Sequence, residues 1–200
     1  MPYLPQSEKE KIFSGKDIHV HVDSEHSIDR EAIKKEFFAN EKKYTFTHFI
    51  CQRWENIYLN INHIPTIKPL LHFVLDTAIE IYRWELKPHE TLVIPHDLLG
   101  YEKNEFWFNA AQPGESTGVH NHNGKAFLSG VFYLQVPKGS GNIHFKLEDR
   151  KEFAIEAQEG KLILFPAEFD HYVPENCSNE VRISLAFNLY KLPLVSVEVK

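Results

Sequence analysis

Two regimes of hydrophobic patterning divide the chain near Pro88. Before it, apolar residues recur at helical spacing. Residues 29–40 place Ile33, Phe37 and Phe38 on one side of a short amphipathic helix, with Ser27 or Asp29 as the cap. A stronger helix is predicted over residues 66–84. Its stripe of Leu70, Leu71, Val74, Leu75, Ala78, Ile79 and Tyr82 is wide enough to pack on a sheet. Thr66 is the expected N-cap, and Pro69 falls in the first turn, where a missing N–H is tolerated. Ahead of both helices, residues 17–22 alternate like a strand.

After Pro88 the period changes to two. Strands are predicted near residues 91–94, 105–111, 118–122, 127–136, 142–147, 152–156, 161–165 and 181–190. The breaks between them carry turn chemistry: Pro113-Gly114, Asn123-Gly124, the run from Pro137 to Gly141, Glu159-Gly160 and Pro174-Glu175-Asn176. Many short strands at even spacing make a sandwich or barrel. With helices gathered at the N-terminal end, the expected class is α+β, mainly β. The expected architecture is a double-stranded β-helix (jelly-roll or cupin-like) with supporting helices. Residues 1–200 read as one domain. Residues 1–88 supply the first strand and the helices, and residues 89–192 form the core that carries the site.

Composition narrows the function. A formal charge of −6, with acids and bases interleaved, excludes the basic stripe of a nucleic-acid-binding face. Hydrophobic content of 42% and aromatic content of 13% indicate an aromatic-rich globular interior. Cys51 and Cys177 are isolated and lack metal-ligand spacing, so a reducing cytoplasmic compartment is expected. The first residues have no apolar signal core, and no run approaches membrane-spanning length.

The chemistry concentrates in one stretch, Asn109-Ala-Ala-Gln-Pro-Gly-Glu-Ser-Thr-Gly-Val-His-Asn-His122, and in a later set: Phe165-Pro166, His171 and Arg182-Ile-Ser184. His120 and His122 are two positions apart, so on a strand they face one way. Imidazole is the commonest side-chain ligand of iron, copper, zinc and nickel. A third imidazole, His171, must arrive from elsewhere in the fold. His19 and His21 form a second His-x-His pair. There Val20 and Val22 are expected to face the core and the histidines solvent. A Gly-x-Ser-x-Gly elbow and a phosphate loop are both absent, and neither cysteine has a catalytic context.

Residues 104–190 resemble the 2-oxoglutarate- and Fe(II)-dependent oxygenases, the prolyl-hydroxylase-like branch above all. The motifs that carry the resemblance are His120-Asn-His122 followed by Ser129-Gly-Val-Phe-Tyr-Leu134, then His171 and Arg182-Ile-Ser184. The resemblance implies Fe(II) held by His120, His122 and His171, with His122 standing where such enzymes usually carry a carboxylate. It makes Arg182 the partner of the 2-oxoglutarate C5 carboxylate, assisted by Tyr133 and Ser184. It places Asn109 and Gln112 near the co-substrate. His120, His122, His171 and Arg182 are then the candidate catalytic set. The implied reaction is hydroxylation of a C–H bond of a small-molecule or peptidyl substrate by molecular oxygen, with 2-oxoglutarate decarboxylated to succinate. Planar arginine suits bidentate pairing with that carboxylate. Two other classes stay open on the residues alone. One is a cupin-type three-His metalloenzyme that does not use 2-oxoglutarate. The other is a non-catalytic binding module that keeps the barrel.

Overall fold

Apolar side chains point to both sides of the central strands, so the sheet they form must be covered on both faces. The computed structural model describes residues 18–23, 27–50, 53–96, 104–146 and 152–193. Its strands are β1 (His19–Val22), β2 (Thr45–Ile50), β3 (Arg53–Tyr58), β4 (Thr91–Val93), β5 (Phe106–Ala111), β6 (Thr117–His120), β7 (Leu128–Gln135), β8 (Ile143–Lys146), β9 (Glu152–Ile155), β10 (Lys161–Pro166), β11 (Asp170–Val173) and β12 (Arg182–Leu192). The helices are α1 (Arg30–Ala39) and α2 (Lys68–Tyr82). A major sheet runs β1-β10-β7-β12-β5-β3-β2, with β4 also paired to β12. A minor sheet runs β6-β11-β8-β9. Every pairing is antiparallel. This is the double-stranded β-helix expected from the strand pattern.

Strand β7 illustrates how the two faces are used. Phe132 and Leu134 join the cluster formed with Ile33 and Phe37 of α1 and Leu70, Leu71 and Val74 of α2. Val131 and Tyr133 point the opposite way, into a second cluster with Ile143 and Phe145 of the minor sheet. Period-two alternation in a strand buried on both faces therefore reads as a continuous apolar run. Gly130 marks the tightest point of the major sheet. A Cβ there would lie 2.4 Å from the Phe187 ring and 2.9 Å from the Ile163 carbonyl oxygen, so no larger residue fits without displacing backbone.

The helices match the predicted stripes with two corrections. Asp29 caps α1, accepting from the Ala32 N–H at 2.9 Å, but Phe38 is 45% exposed and does not share the buried side of Ile33 and Phe37. Thr66 does not cap α2. It lies in a short 3-10 turn, and its N–H and hydroxyl both donate to Glu36 Oε2, which ties the turn to α1.

Four strand features depart from the sequence reading. The hairpin β2–β3 adds two strands to the edge of the major sheet between the two predicted helices, where no element was predicted. Strand β11 was not separated from its neighbours. Strand β6 stops at His120, so His122 lies beyond it. In β1, Val20 is buried as expected, but Val22 is only half-buried, and so are His19 and His21 instead of facing solvent. The His19 ring meets Tyr82 edge-on at 5.4 Å. Asp17, Cys51 and Leu147 lie outside the described residues.

Candidate metal centre

Antiparallel pairing of β6 with β11 sets His171 directly across from His120. Their ring centroids are 4.3 Å apart. His122 reaches the same place from the turn after β6, where its backbone N–H donates to the Ala167 carbonyl at 2.7 Å. Its ring lies 5.2 Å from that of His120 and 5.6 Å from that of His171. One nitrogen from each of the three falls within 4.8 Å of the others, which is the spacing of a shared ligand set. His120 and His122 thus converge although only His120 lies on the strand.

Two of the rings are held by their own strands. Nδ1 of His120 lies 2.8 Å from the Gly118 carbonyl, and Nδ1 of His171 lies 2.9 Å from the Phe169 carbonyl. A carbonyl can only accept, so each Nδ1 carries the proton and each Nε2 keeps a lone pair for a cation. Backbone carbonyls commonly orient metal-binding histidines in this way. Burial pulls the His171 imidazole down to about 3, with His120 and His122 pushing the same way and the Phe169 carbonyl opposing. Burial likewise pulls His122 down to about 4, helped by His120, Lys125 and His48. Neutral imidazole is the ligating form, so the depression favours metal binding.

The same depression sets a pH dependence of folding. Both folded-state values lie below the ordinary 6.5, so the unfolded chain binds more protons as the pH falls through that value. The stabilisation is complete above about 6.5 and is lost progressively towards the folded values of about 3 and 4. At pH 4.5 the buried His171 alone costs about 2–3 kcal/mol. Thermal melts of metal-free protein should fall steeply between pH 6.5 and 4.5. The isosteric His171→Gln should flatten that slope, and an unchanged slope would disprove the assignment.

One cavity joins these imidazoles to Arg182, Tyr133, Ser184 and Asn109. On β12, Arg182, Ser184 and Ala186 line it while Ile183 and Leu185 face the helices. Ser184 sits between Asn109 of β5 and Tyr133 of β7 in the register. Arg182 is 2% exposed and donates from Nη1 to the Ser140 carbonyl at 2.8 Å. Its Nε has no hydrogen-bond partner among the described residues. Burial lowers this guanidinium to about 10, with Arg53 acting the same way and Tyr133 opposing, so it stays charged at neutral pH. Burial raises the Tyr133 hydroxyl, which keeps it a neutral donor. A buried cation with an unused N–H, beside a hydroxyl donor, fits a carboxylate.

The expected residues do not all converge. Gln112 is exposed and does not line the cavity; its N–H donates to Glu115 Oε2 at 2.7 Å. Asn109 does line it and accepts from Arg53 Nη2 at 2.7 Å. Arg53 and Glu55 were missed. Both are buried on β3; Arg53 also pairs with Glu115 at 3.4 Å, and Glu55 accepts from the Gly118 N–H at 2.9 Å. The alternation of aromatic and β-branched residues from Tyr44 to Tyr58 was the available signal for that strand.

The donor set suits iron in one respect and departs in another. Three imidazoles form a nitrogen face for a divalent transition ion. Among the described residues no carboxylate joins them.

The geometry defines a β-helix with a histidine triad and a buried arginine in one cavity. Residues 105–156 and 144–188 match the family model described as "Putative 2OG-Fe(II) oxygenase". Solved structures of similar fold include a prolyl hydroxylase in complex with a hypoxia inducible factor oxygen degradation domain peptide fragment from Trichoplax adhaerens. It is 12% identical, with 88% of this chain and 84% of that one covered, at a TM-score of 0.64. The non-heme alpha ketoglutarate dependent carbocyclase SnoK from nogalamycin biosynthesis is 12% identical over 86% and 79%, also at 0.64. An oxidoreductase of the 2OG-Fe(II) oxygenase family from Burkholderia pseudomallei is 15% identical over 92% and 72%, at 0.53. No curated protein matches significantly. The resemblance to 2-oxoglutarate/Fe(II)-dependent oxygenases therefore holds in sequence over part of the β core, through the family model, and solved oxygenase structures, a prolyl hydroxylase among them, share the fold over most of the chain. Among the described residues no helix is long and apolar enough to cross a membrane.

Proposed function

We propose that the protein is a cytoplasmic Fe(II)/2-oxoglutarate-dependent dioxygenase that hydroxylates a C–H bond of a small-molecule or peptidyl substrate. The observation that carries this reading is a single cavity lined both by three convergent imidazoles and by a buried arginine with an unused N–H. His120, His122 and His171 hold Fe(II). Arg182 binds the far carboxylate of 2-oxoglutarate, Tyr133 and Ser184 donate to it, and Asn109 lines the same cavity beside Ser184. Iron in this setting supplies oxygen activation coupled to decarboxylation of 2-oxoglutarate to succinate. The apolar residues around the histidines, Phe165 and Val173 among them, exclude water. Residues 89–192 carry the metal, and the stretch before them supplies supporting helices and three strands of the major sheet.

Anaerobic addition of 2-oxoglutarate to Fe(II)-loaded protein tests this directly. A visible metal-to-ligand charge-transfer band of a chelated keto acid is the expected result. The all-histidine set favours a second reading, a cupin-type three-His metalloenzyme that does not use 2-oxoglutarate. Iron binding without the band would select that reading, and failure to bind iron would leave a barrel that only binds ligands.

A further inference from the structure

Among the described residues lining the cavity, Glu55 is the one carboxylate and Arg182 the one guanidinium or ammonium. We infer that Glu55 anchors a cationic group of the substrate, a protonated amine or a guanidinium. This inference deepens the oxygenase reading and rests on it for the identity of the site. Glu55 is 3% exposed. Among the described residues its hydrogen-bond donor is the Gly118 N–H, which takes Oε1. A carboxylate offers about four acceptor positions on two oxygens. A buried carboxylate so lightly satisfied calls for a charged donor.

The neighbouring cation is already engaged, because Arg53 bonds Asn109 and Glu115. The rest of the lining suits a cation. Trp107 lines the same cavity, its ring 5.8 Å from that of His122 and 6.1 Å from that of Tyr58, and indole faces attract ammonium and guanidinium groups. Asn56, on the next position of β3, adds an amide that can bond further donors or acceptors. The cavity thus sorts charge: the anionic co-substrate goes to Arg182 and the cationic substrate to Glu55. The competing role for Glu55 is purely structural. Its bond to the Gly118 N–H steadies the residue whose carbonyl orients His120.

Ligand-observed NMR titration with n-butylammonium chloride and with n-butanol separates these roles. Metal-free and Zn(II)-loaded wild type, Glu55→Gln and Glu55→Asp should be compared. Glutamine keeps an acceptor for Gly118 and removes the charge, whereas aspartate keeps the charge. Wild type should bind butylammonium at least tenfold more tightly than butanol, Glu55→Gln should lose that preference, and Glu55→Asp should recover part of it. Equal binding of the two probes by wild type, no binding of either, or an unchanged preference in Glu55→Gln would overturn the inference. The wild-type comparison stands even if a variant fails to fold. The Zn(II) affinity of Glu55→Gln reads the structural role separately: a loss there with the probe preference intact assigns Glu55 to positioning and refutes anchoring. Absence of the 2-oxoglutarate charge-transfer band would refute the oxygenase reading while leaving the butylammonium result to be judged alone.

Discussion

Arg182→Ala is expected to raise the dissociation constant for 2-oxoglutarate by at least about thirtyfold while leaving Fe(II) binding within a few-fold of wild type. Truncating one partner of a buried, hydrogen-bonded charge pair costs roughly 2–5 kcal/mol, and 2 kcal/mol is already about thirtyfold in affinity. The site has little to substitute for the loss. Tyr133 stays a neutral hydroxyl because burial raises its pKa, and Ser184 is neutral, so neither replaces a full positive charge. Arg182→Lys should fall between wild type and alanine, because it restores the charge without the planar fork that pairs both carboxylate oxygens. Titrating the charge-transfer band gives the co-substrate affinity, and iron content by colorimetric chelation gives the metal affinity. Equal loss of both would mean that Arg182 supports the fold rather than the co-substrate. Melting temperatures of the three proteins separate that outcome, since Arg182 also holds the Ser140 carbonyl.

The fold was legible where one periodicity ran long enough to exclude the other. The α2 stripe and the β5, β7, β10 and β12 runs carried their own boundaries in Pro, Gly and Asn. The hairpin β2–β3 was missed although aromatic and β-branched residues recur along it, and it places Phe46, Phe49 and Trp54 on the surface rather than in a core. Missing that hairpin hid Arg53 and Glu55. Glu55 reaches the cavity, and Arg53 reaches Asn109, because β3 pairs with β5, a contact between residues roughly fifty positions apart. Strand β11 was obscured for a different reason. Its Asp-His-Tyr-Val segment has no apolar alternation, and its role depends on the register that sets His171 against His120. Local chemistry, by contrast, was readable. A His-x-His pair, a distant His and an Arg-x-Ser on a later strand specify side-chain types whose convergence the double-stranded β-helix then supplies. Gln112 shows the limit of such reading. A residue placed near a site by motif alone can turn outward when the following Pro-Gly turn claims its backbone.

His171→Ala and His122→Ala are each expected to weaken Fe(II) binding by more than about a hundredfold. Loss of groups that merely orient metal ligands already costs about 10–100-fold, and losing a ligand should exceed that. The two substitutions test different things. His171 sits inside β11, its ring held by Phe169 and packed on Phe165 at 4.8 Å, so its alanine variant removes both a ligand and core contacts. His122 lies beyond β6; its backbone bond to Ala167 survives every substitution except proline, and its ring meets Trp107 at 5.8 Å. Metal loss in His122→Ala at an unchanged melting temperature would not be explained by lost packing. His122→Asp carries the sharper expectation. It converts an all-neutral ligand set into two imidazoles and one carboxylate, making the bound ion one unit less positive and the site harder. Fe(II) and Mn(II) should gain affinity relative to Cu(II), which prefers nitrogen, and competition dialysis with metal analysis would measure the shift. Unchanged metal preference in His122→Asp, together with wild-type iron content in His122→Ala, would remove His122 from the ligand set and leave His120 and His171 as a two-histidine centre.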